Sequence, residues 1–325
     1  MMSNFNRRSL LLTLVLLIGF EPTAFSQSYP NKPIKLIVPF PPGGATDVVA
    51  RIIGQKWSVA FGQPVIIENK AGASGSIANE FVANSAPDGY TLIVGTASTQ
   101  AANPVVGKVP WDPIKSFTPV SLVATEPMAL VIHPSVPANN VKELISLAKS
   151  KPNELNMASF GNGTVSHLAG ELFNSMAGTK MTHIPYKGAG PAMTDLIGGQ
   201  VQVMFNSLSV VFNSAKAGKI KILAVGSLKR NSELPDIPTI NEAGVFGYDA
   251  GTWQGVFGPT GLPKNIVERL SAEVIKTMKS PEVVQSFIAL GSQPQGGTPN
   301  ELELILKTDL AKWGRIVKEA NIKAD

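Results

Sequence analysis

Four glycine-rich segments of this 325-residue chain carry the groups best suited to hold an anion. Each follows an apolar run that is typical of a strand, and three of them open a predicted helix. The first amides of a helix have no partner within it, and the helix dipole favours negative charge there. This chemistry predicts the binding of an anion such as a carboxylate. The segments are residues 39–47, 95–100, 159–167 and 186–192.

The first segment combines two glycines with a rigid apolar stretch. Gly43 and Gly44 allow the backbone to approach an anion closely, and Thr46 and Asp47 are of the types that cap helices. Phe40 and the prolines beside it favour a pocket wall over an ordinary tight turn with an N-cap. The Gly-Lys-Ser/Thr ending of a phosphate loop is missing, so a nucleotide site is not predicted.

The other three segments offer polar groups that have both binding and structural interpretations. The hydroxyls and amides of the second suit a carboxylate but also fit a simple polar loop. The third mirrors the first, so two helix starts facing each other would hold both ends of a dicarboxylate. His167 in its first turn is more often structural than catalytic. Pro191 fits a first helical position, and Asn206 either contacts ligand or caps the next helix.

The sequence contains no recognisable catalytic or metal-binding motif. Its three histidines, His133, His167 and His183, match no metal signature, and there is no cysteine. No Gly-x-Ser-x-Gly nucleophile elbow is present. Ser166 and His167 are adjacent and point about 100° apart on a helix, which disfavours a hydrolase that pairs them. We therefore expect a binding protein rather than an enzyme, with no cofactor and no metal.

The net charge of the chain and the placement of its basic residues indicate which classes of partner to expect. The formal net charge is +5, and the lysines are scattered without a dense basic run, so a nucleic-acid groove is not expected. A mild positive charge favours small anions. None of the six arginines lies in the four segments, so amides, hydroxyls and bridging water would hold a carboxylate. We expect a monomer.

Residues 1–26 are typical of an export signal. Arg7 and Arg8 precede the apolar run 10–20, and Ala24-Phe25-Ser26 places small residues where a signal peptidase cuts, so cleavage is expected near Ser26. General secretion is favoured over the twin-arginine route, although the basic pair fits both. Because a lipoprotein anchor needs a cysteine, the mature protein is expected to be free in the periplasm.

The remainder alternates short apolar strands with amphipathic helices, which predicts an α/β fold with parallel sheets covered by helices. Two apolar segments, 120–131 and 248–257, are the best places for the chain to cross between two lobes. Lobe 1 would contain residues 27–125 and 250–325, and lobe 2 residues 126–249. A hinge between two α/β lobes produces a cleft that closes on a ligand.

The chain resembles a known family, the Bug receptors of tripartite tricarboxylate transporters. The resemblance is strongest over Tyr29–Asp47, and the segments 87–92, 159–167, 183–188 and 195–201 also match. It implies two α/β lobes of the type II periplasmic-binding class and a carboxylate held in the cleft between them. The ligand-binding residues that it implies are Phe40, Gly43, Gly44, Ala45, Thr46, Asp47, Thr96, Ser98, Gly163, Ser166, His167, Ala189, Pro191 and Asn206.

The resemblance implies a receptor that captures a small carboxylate and delivers it to the membrane permease subunits of such a transporter. Presentation of the ligand to a sensor kinase is the alternative, because docking surfaces leave no sequence motif. Many family members carry Asp where Asn206 stands, and an amide pairs poorly with an ammonium ion. This difference makes an amino-acid ligand less expected, while the identity of the carboxylate stays open.

Overall fold

The first part of the chain forms alternating strands and helices, as the sequence predicts. The computed structural model describes residues 29–231, 234–289, 292–319 and 322, so the predicted signal segment 1–26 lies outside the described residues. Contacts divide the chain into residues 1–31 and one compact unit of residues 32–325. That unit begins with β1 Ile34–Val38, α1 Ala45–Phe61, β2 Val65–Asn69, α2 Ser76–Ala83 and β3 Thr91–Thr96.

We define the first sheet half as β1, β2, β3 and the later strand β9, Gly251–Pro259. Within it, β1 lies between β2 and β3. It pairs in parallel with both β2 and β3, because α1 and α2 provide the crossover connections. Leu36, Ile37 and Val38 are fully buried, as expected for a strand covered on both faces. The parallel pairing predicted from the alternating pattern is therefore confirmed for β1, β2 and β3, whereas β9 pairs antiparallel with β3.

A second alternating series follows and forms the second sheet half, which we define as β5, β6, β7 and β8. Strand β5 pairs in parallel with β6 and β7. This part of the chain contains the short helix α3 Asn103–Val106, then β4 Phe117–Ile132, α4 Val141–Ser150, β5 Asn156–Ser159, α5 Val165–Ala177, β6 Thr182–Pro185, α6 Ala189–Ile197, β7 Val203–Ser207, α7 Leu208–Lys216 and β8 Lys221–Val225.

The long strand β4 joins the two halves. It pairs antiparallel with β9 from Phe117 to Pro127, and then antiparallel with β7 and β8 from Met128 onward. The path through the sheet is β2-β1-β3-β9-β4-β7-β5-β6, with β8 and β10 also pairing with β4. The C-terminal elements are β9 Gly251–Pro259, α8 Lys264–Met278, α9 Pro281–Ala289, β10 Gln293–Gly297 and α10 Pro299–Glu319.

Large aromatic side chains fill the interior near the shared strand. Trp253 of β9, which the sequence indicates as a core residue, is buried, and its indole Nε1 donates a hydrogen bond to Asp309 Oδ2 at 2.9 Å. Tyr248 packs against Phe173 and Phe205, and its hydroxyl donates to the Ala169 carbonyl oxygen at 2.9 Å. These contacts fix the chain that precedes β9 against the second sheet half.

Two local features differ from the sequence prediction. The segment 95–100, predicted as a loop, continues β3 through Thr96 and then forms a helical turn, Ala97–Ala102. Strand β10 was not predicted, because its sequence Gln-Pro-Gln-Gly-Gly lacks the β-branched and aromatic residues that indicate strands. It forms because its backbone pairs with the edge of β4.

Gly226 is a sensitive position where the chain passes between the two halves. Its amide donates to the Met128 carbonyl oxygen at 2.6 Å, and its carbonyl accepts from Ala250 N at 2.8 Å. A Cβ atom at Gly226 would collide with the backbone carbonyl oxygen of Ala250. We expect Gly226→Ala to lower the free energy of unfolding by about 1–3 kcal/mol in urea denaturation.

The matched control for that variant is Gly314→Ala. Gly314 lies within α10, and beyond its chain neighbours and its own helix the nearest atom to a Cβ atom there would be Val105 Cγ1 at 3.8 Å, an ordinary van der Waals distance. Alanine is the better helix former, so stability should stay the same or rise by about 0.5–1 kcal/mol. Equal stability losses in the two variants would contradict the steric account of Gly226.

Candidate functional site

A cavity of about 370 Å³ is lined by residues of both sheet halves. Cavities of this size are typical of small-molecule sites. Ten of the fourteen residues that the resemblance implies line it, namely Phe40, Gly43, Gly44, Ala45, Thr46, Thr96, Ser98, Ala189, Pro191 and Asn206. The other four, Asp47, Gly163, Ser166 and His167, are absent from its lining.

The start of helix α1 forms one wall of the cavity. Gly43 adopts a φ of 88°, which favours glycine, and Gly44 is the extended N-cap at φ −82° and ψ 169°. The Gly44 carbonyl oxygen accepts from Asp47 N at 3.0 Å and Val48 N at 3.1 Å. The amide of Ala45, the first helical residue, has no acceptor within the helix, so the helix presents free donors and its positive dipole end here.

Asp47 supports this wall from behind. Its Oδ2 accepts from Gly43 N at 3.0 Å and Arg51 Nε at 2.9 Å, and its Oδ1 accepts from Arg51 Nη2 and Asn69 Nδ2, both at 3.0 Å. The Asn69 amide also donates to the Phe40 carbonyl oxygen at 3.0 Å. Burial alone would raise the Asp47 pKa, but these hydrogen bonds outweigh it and hold the pKa below its usual value. Asp47 therefore fixes the loop.

The turn after β3 provides hydroxyl groups. Thr96 caps the helical turn, because its Oγ1 accepts from Thr99 N at 3.2 Å while its own amide donates to Thr99 Oγ1 at 3.1 Å. Ser98 Oγ accepts from Val165 N of helix α5 at 3.0 Å. Ser98 thus contacts the second sheet half and lines the cavity at the same time.

The segment 159–167 opens a helix, and Phe160 is its one residue that lines the cavity. Ser166 donates its hydroxyl to the Phe205 carbonyl oxygen, and His167 Nδ1 accepts from Gly163 N at 3.2 Å. The His167 ring stacks on His183 with centroids 3.8 Å apart. Burial, with a smaller effect of His183, lowers the His167 pKa to about 3, so the imidazole is neutral near pH 7. These contacts give all three residues structural roles.

Helix α6 and strand β7 contribute the opposite wall. Helix α6 begins at Ala189, with Gly188 as N-cap at φ 113°, so Pro191 is its third residue rather than its first. Proline is tolerated there because first-turn amides lack intrahelical acceptors. Asn206 is buried, and its Oδ1 accepts from Ser207 N at 2.8 Å. Helix α7 has Ser207 as its N-cap, so Asn206 is not the capping residue.

Nine further residues line the cavity, and five of them, Glu126, Ser207, Val210, Thr252 and Gln254, lie outside the four segments that the sequence indicates. The prominent one is Glu126, the single charged residue within β4 and the single ionisable residue of the cavity lining. Burial raises the pKa of the Glu126 carboxyl, and polar groups of Ser209, Ser207 and Gln254 counteract the rise only in part. An acid inside an apolar crossing strand is a signal that sequence reasoning could have used. The nine are Pro41, Pro42, Glu126, Phe160, Gly190, Ser207, Val210, Thr252 and Gln254.

The chain resembles proteins whose structures have been solved with small acids. Rpa4515 of R. palustris with adipate is 37% identical, with a TM-score of 0.88, and the match covers 91% of this chain and 99% of Rpa4515. MatC (Rpa3494) from Rhodopseudomonas palustris with bound malate is 34% identical, with a TM-score of 0.85, over 89% of this chain and 100% of MatC. The periplasmic binding protein BugD is 35% identical, with a TM-score of 0.86, over 91% of this chain and 100% of BugD.

These similarities and the cavity define the class as an α/β solute-binding receptor of the periplasmic-binding-protein type, which confirms the predicted fold. The model of the tripartite tricarboxylate transporter family receptor matches residues 49–322. The chain belongs to that family, which consists of receptors rather than enzymes. Within the part of the chain that the structure describes, no helix is long and apolar enough to cross a membrane.

The role of Asp47 as a support for the α1 wall predicts a pH-dependent loss of stability. At pH 7, Asp47→Ala should lower the free energy of unfolding by about 1–3 kcal/mol, because charge-assisted hydrogen bonds are lost. A lowered folded-state pKa contributes stability above the unfolded pKa that is lost as pH falls. The difference between wild type and variant should therefore shrink below about pH 4 in urea unfolding.

The control is Asp236→Ala, which removes an exposed carboxylate. Its effect should stay within about 0.5 kcal/mol. A loss for Asp47→Ala that is no larger than this, or that is unchanged at pH 3, would contradict the supporting role.

Proposed function

We propose that this receptor captures a small carboxylate in the cavity and delivers it to the membrane subunits of a tripartite tricarboxylate transporter. The observation that carries the proposal is the start of α1, where an unpaired helix-end amide and the positive dipole end line a cavity shared by both sheet halves. The adipate and malate bound to the two similar R. palustris proteins support the choice of ligand class.

Backbone donors would replace the usual cations at this site. None of the described residues that line the cavity is lysine or arginine. The amide of Ala45 and the hydroxyls of Thr46, Thr96 and Ser98 are the nearest set of donors for a carboxylate on the α1 side. Oriented amides of this kind stabilise an anion without the cost of desolvating a cationic side chain.

Lobe closure is part of the same proposal. We assign residues 27–125 with 250–325 to lobe 1 and residues 126–249 to lobe 2, and the change of partners along β4 near Met128 supports this division. Away from the crossing strands, hydrogen bonds that link the lobes run from Val165 N to Ser98 Oγ at 3.0 Å and from Ser74 Oγ to the Asn162 carbonyl oxygen at 2.6 Å. Such contacts are expected in a closed form that retains the ligand.

The cellular setting follows from the same reasoning. We propose export with cleavage near Ser26, no lipid anchor, and a free monomer in the periplasm that has no enzymatic activity. The membership in a receptor family and the burial of Ser166 and His167 away from the cavity support a binding role over hydrolysis.

A thermal-shift screen of the purified mature protein against a carboxylate library tests the proposal. A ligand present at about 100 times its dissociation constant should stabilise the fold by about 2.7 kcal/mol. Mass spectrometry of the supernatant from denatured protein identifies any ligand that is retained through purification. A flat screen combined with a supernatant free of small acids would reject the carboxylate-receptor function.

Ala45→Pro tests the backbone amide directly. Proline is well accommodated at a first helical position, and the extended Gly44 before it is compatible with a following proline. The variant lacks the Ala45 N–H, so affinity for a carboxylate hit should fall roughly ten- to hundredfold by calorimetry.

Ala45→Val is the matched control, because it adds similar volume and keeps the N–H. Its affinity should fall much less than that of the proline variant. If both variants bind as weakly as each other, volume rather than the amide explains the loss, and the assigned role of the amide is wrong.

A further inference from the structure

Two buried oxygen atoms on the paired strands β4 and β9 have no hydrogen-bond partner among the described residues. They are Glu126 Oε1 on β4 and Gln254 Oε1 on β9. Glu126 is 5% exposed and Gln254 is 4% exposed, and both side chains line the cavity. Their strands are paired, with Ala124 opposite Gln254 and Glu126 opposite Thr252. The register therefore brings both acceptors to one region of the site.

An unpaired buried acceptor is costly, by about 1–3 kcal/mol for each group. The second carboxylate oxygen, Glu126 Oε2, accepts from Ser209 N at 3.3 Å, so the structure satisfies one side of the carboxyl and leaves the other. Gln254 Oε1 is able only to accept, whatever the protonation state of its neighbour. Two acceptors of this kind in one cavity are complementary to a group that donates hydrogen bonds.

The charges around Glu126 also favour a ligand group that donates hydrogen bonds. The other residues that line the cavity are uncharged, and burial raises the Glu126 pKa. Glu126 also lines a second cavity, of about 530 Å³, whose charged residues are Lys229, Arg230, Asp249, Asp309 and Lys312. The groups that modulate its pKa after burial are the neutral side chains Ser209, Ser207 and Gln254 together with the Ser209 amide. A second carboxylate on the ligand would therefore lie beside an acid in a cavity whose described lining contains no lysine or arginine.

We propose that the carboxylate bound by this receptor carries an O–H or N–H donor away from its carboxylate end, and that Glu126 and Gln254 accept hydrogen bonds from it. This inference rests on the proposed function and specifies its ligand class. The carboxylate lies at the start of α1, the apolar body lies against Phe40, Phe160 and Val210, and a hydroxyl or protonated amine lies at the Glu126–Gln254 pair. The receptor discriminates against acids that end in a methyl group or in a second carboxylate.

The discriminating experiment compares ligands that differ only at the distal end. Hexanoate, 6-hydroxyhexanoate, 6-aminohexanoate and adipate have the same chain length, and the corresponding four- and five-carbon sets correct for cavity depth. Affinities are measured by isothermal titration calorimetry on the mature protein. At the best length, the hydroxyl or amino compound should bind about tenfold more tightly than the methyl-ended acid and the diacid, since one hydrogen bond to a charged group is worth that much.

Variants assign the preference to the two acceptors. Glu126→Gln replaces one acceptor oxygen with an NH2 donor and should weaken the amino or hydroxyl probe at least fivefold more than it weakens the methyl-ended acid. Gln254→Met should reduce the same preference. The matched control is Gln100→Met, because Gln100 Oε1 is also buried without a partner but Gln100 lies outside the cavity lining. This control should leave the ratio between donor-bearing and methyl-ended probes unchanged.

Each other outcome rejects a defined part of the argument. Equal binding of the methyl-ended and donor-bearing acids would overturn the donor subsite and leave the carboxylate receptor intact. Tightest binding of the diacid that is kept in Glu126→Gln, whose amide NH2 also donates, but lost in Glu126→Met would mean that Glu126 is protonated and donates to the ligand, which also overturns this inference. Failure of the carboxylate screen described above would reject the receptor function itself, and the inference with it.

Discussion

Strand β4 is shared by both halves of the sheet, and the position of the cavity depends on it. Its first part pairs with β9, and its last part pairs with β7 and β8. The carboxyl ends of parallel strands in each half open towards the place where β4 changes partners, which is where α/β proteins hold ligands.

In the proposed mode of binding, the cavity separates the binding of the carboxylate from the recognition of the remaining ligand atoms. On the α1 side the polar groups are mainly backbone amides, whose direction is set by the helix and by the Asp47 hydrogen bonds behind it. On β4 and β9 the polar groups are the side chains of Glu126 and Gln254. Substitution of these side chains leaves the backbone of the α1 loop unchanged. A family of receptors can thus keep one carboxylate end and vary the other end of its ligand.

The sequence predicts the fold well because the patterns that indicate helices and strands are local. Apolar runs that alternate with amphipathic stretches predict strands that alternate with helices, and β1 to β3 and β5 to β8 show this alternation. Local sequence patterns do not predict β10, because only its pairing with β4 makes it a strand. The N-terminal loop of the site is predictable for the same local reason, since glycines, a cap and a strand end occur together.

The rest of the site depends on tertiary contacts that no local pattern encodes. His167 and Ser166 belong to a glycine-rich helix start like that of α1, yet stacking on His183 and a hydrogen bond to Phe205 turn them away from the cavity lining. Glu126 and Gln254 lie in strands that look like ordinary core. Their importance emerges only when the register of β4 and β9 brings them to one cavity. Sequence reasoning located anion-binding backbone but missed acceptors carried on strands.

In the proposed receptor, Ser98 would take part both in ligand capture and in the contact between the lobes. A serine hydroxyl has one donor and two acceptor positions, and Ser98 uses one acceptor position for Val165 N of the opposite half. Its O–H is then oriented away from that bond, on a residue that lines the cavity. A ligand that accepts from Ser98 therefore favours the arrangement in which Val165 donates to it, since hydrogen bonds in a chain polarise one another. A ligand shifts a conformational equilibrium only through contacts that differ between the two states, and this hydroxyl provides such a contact.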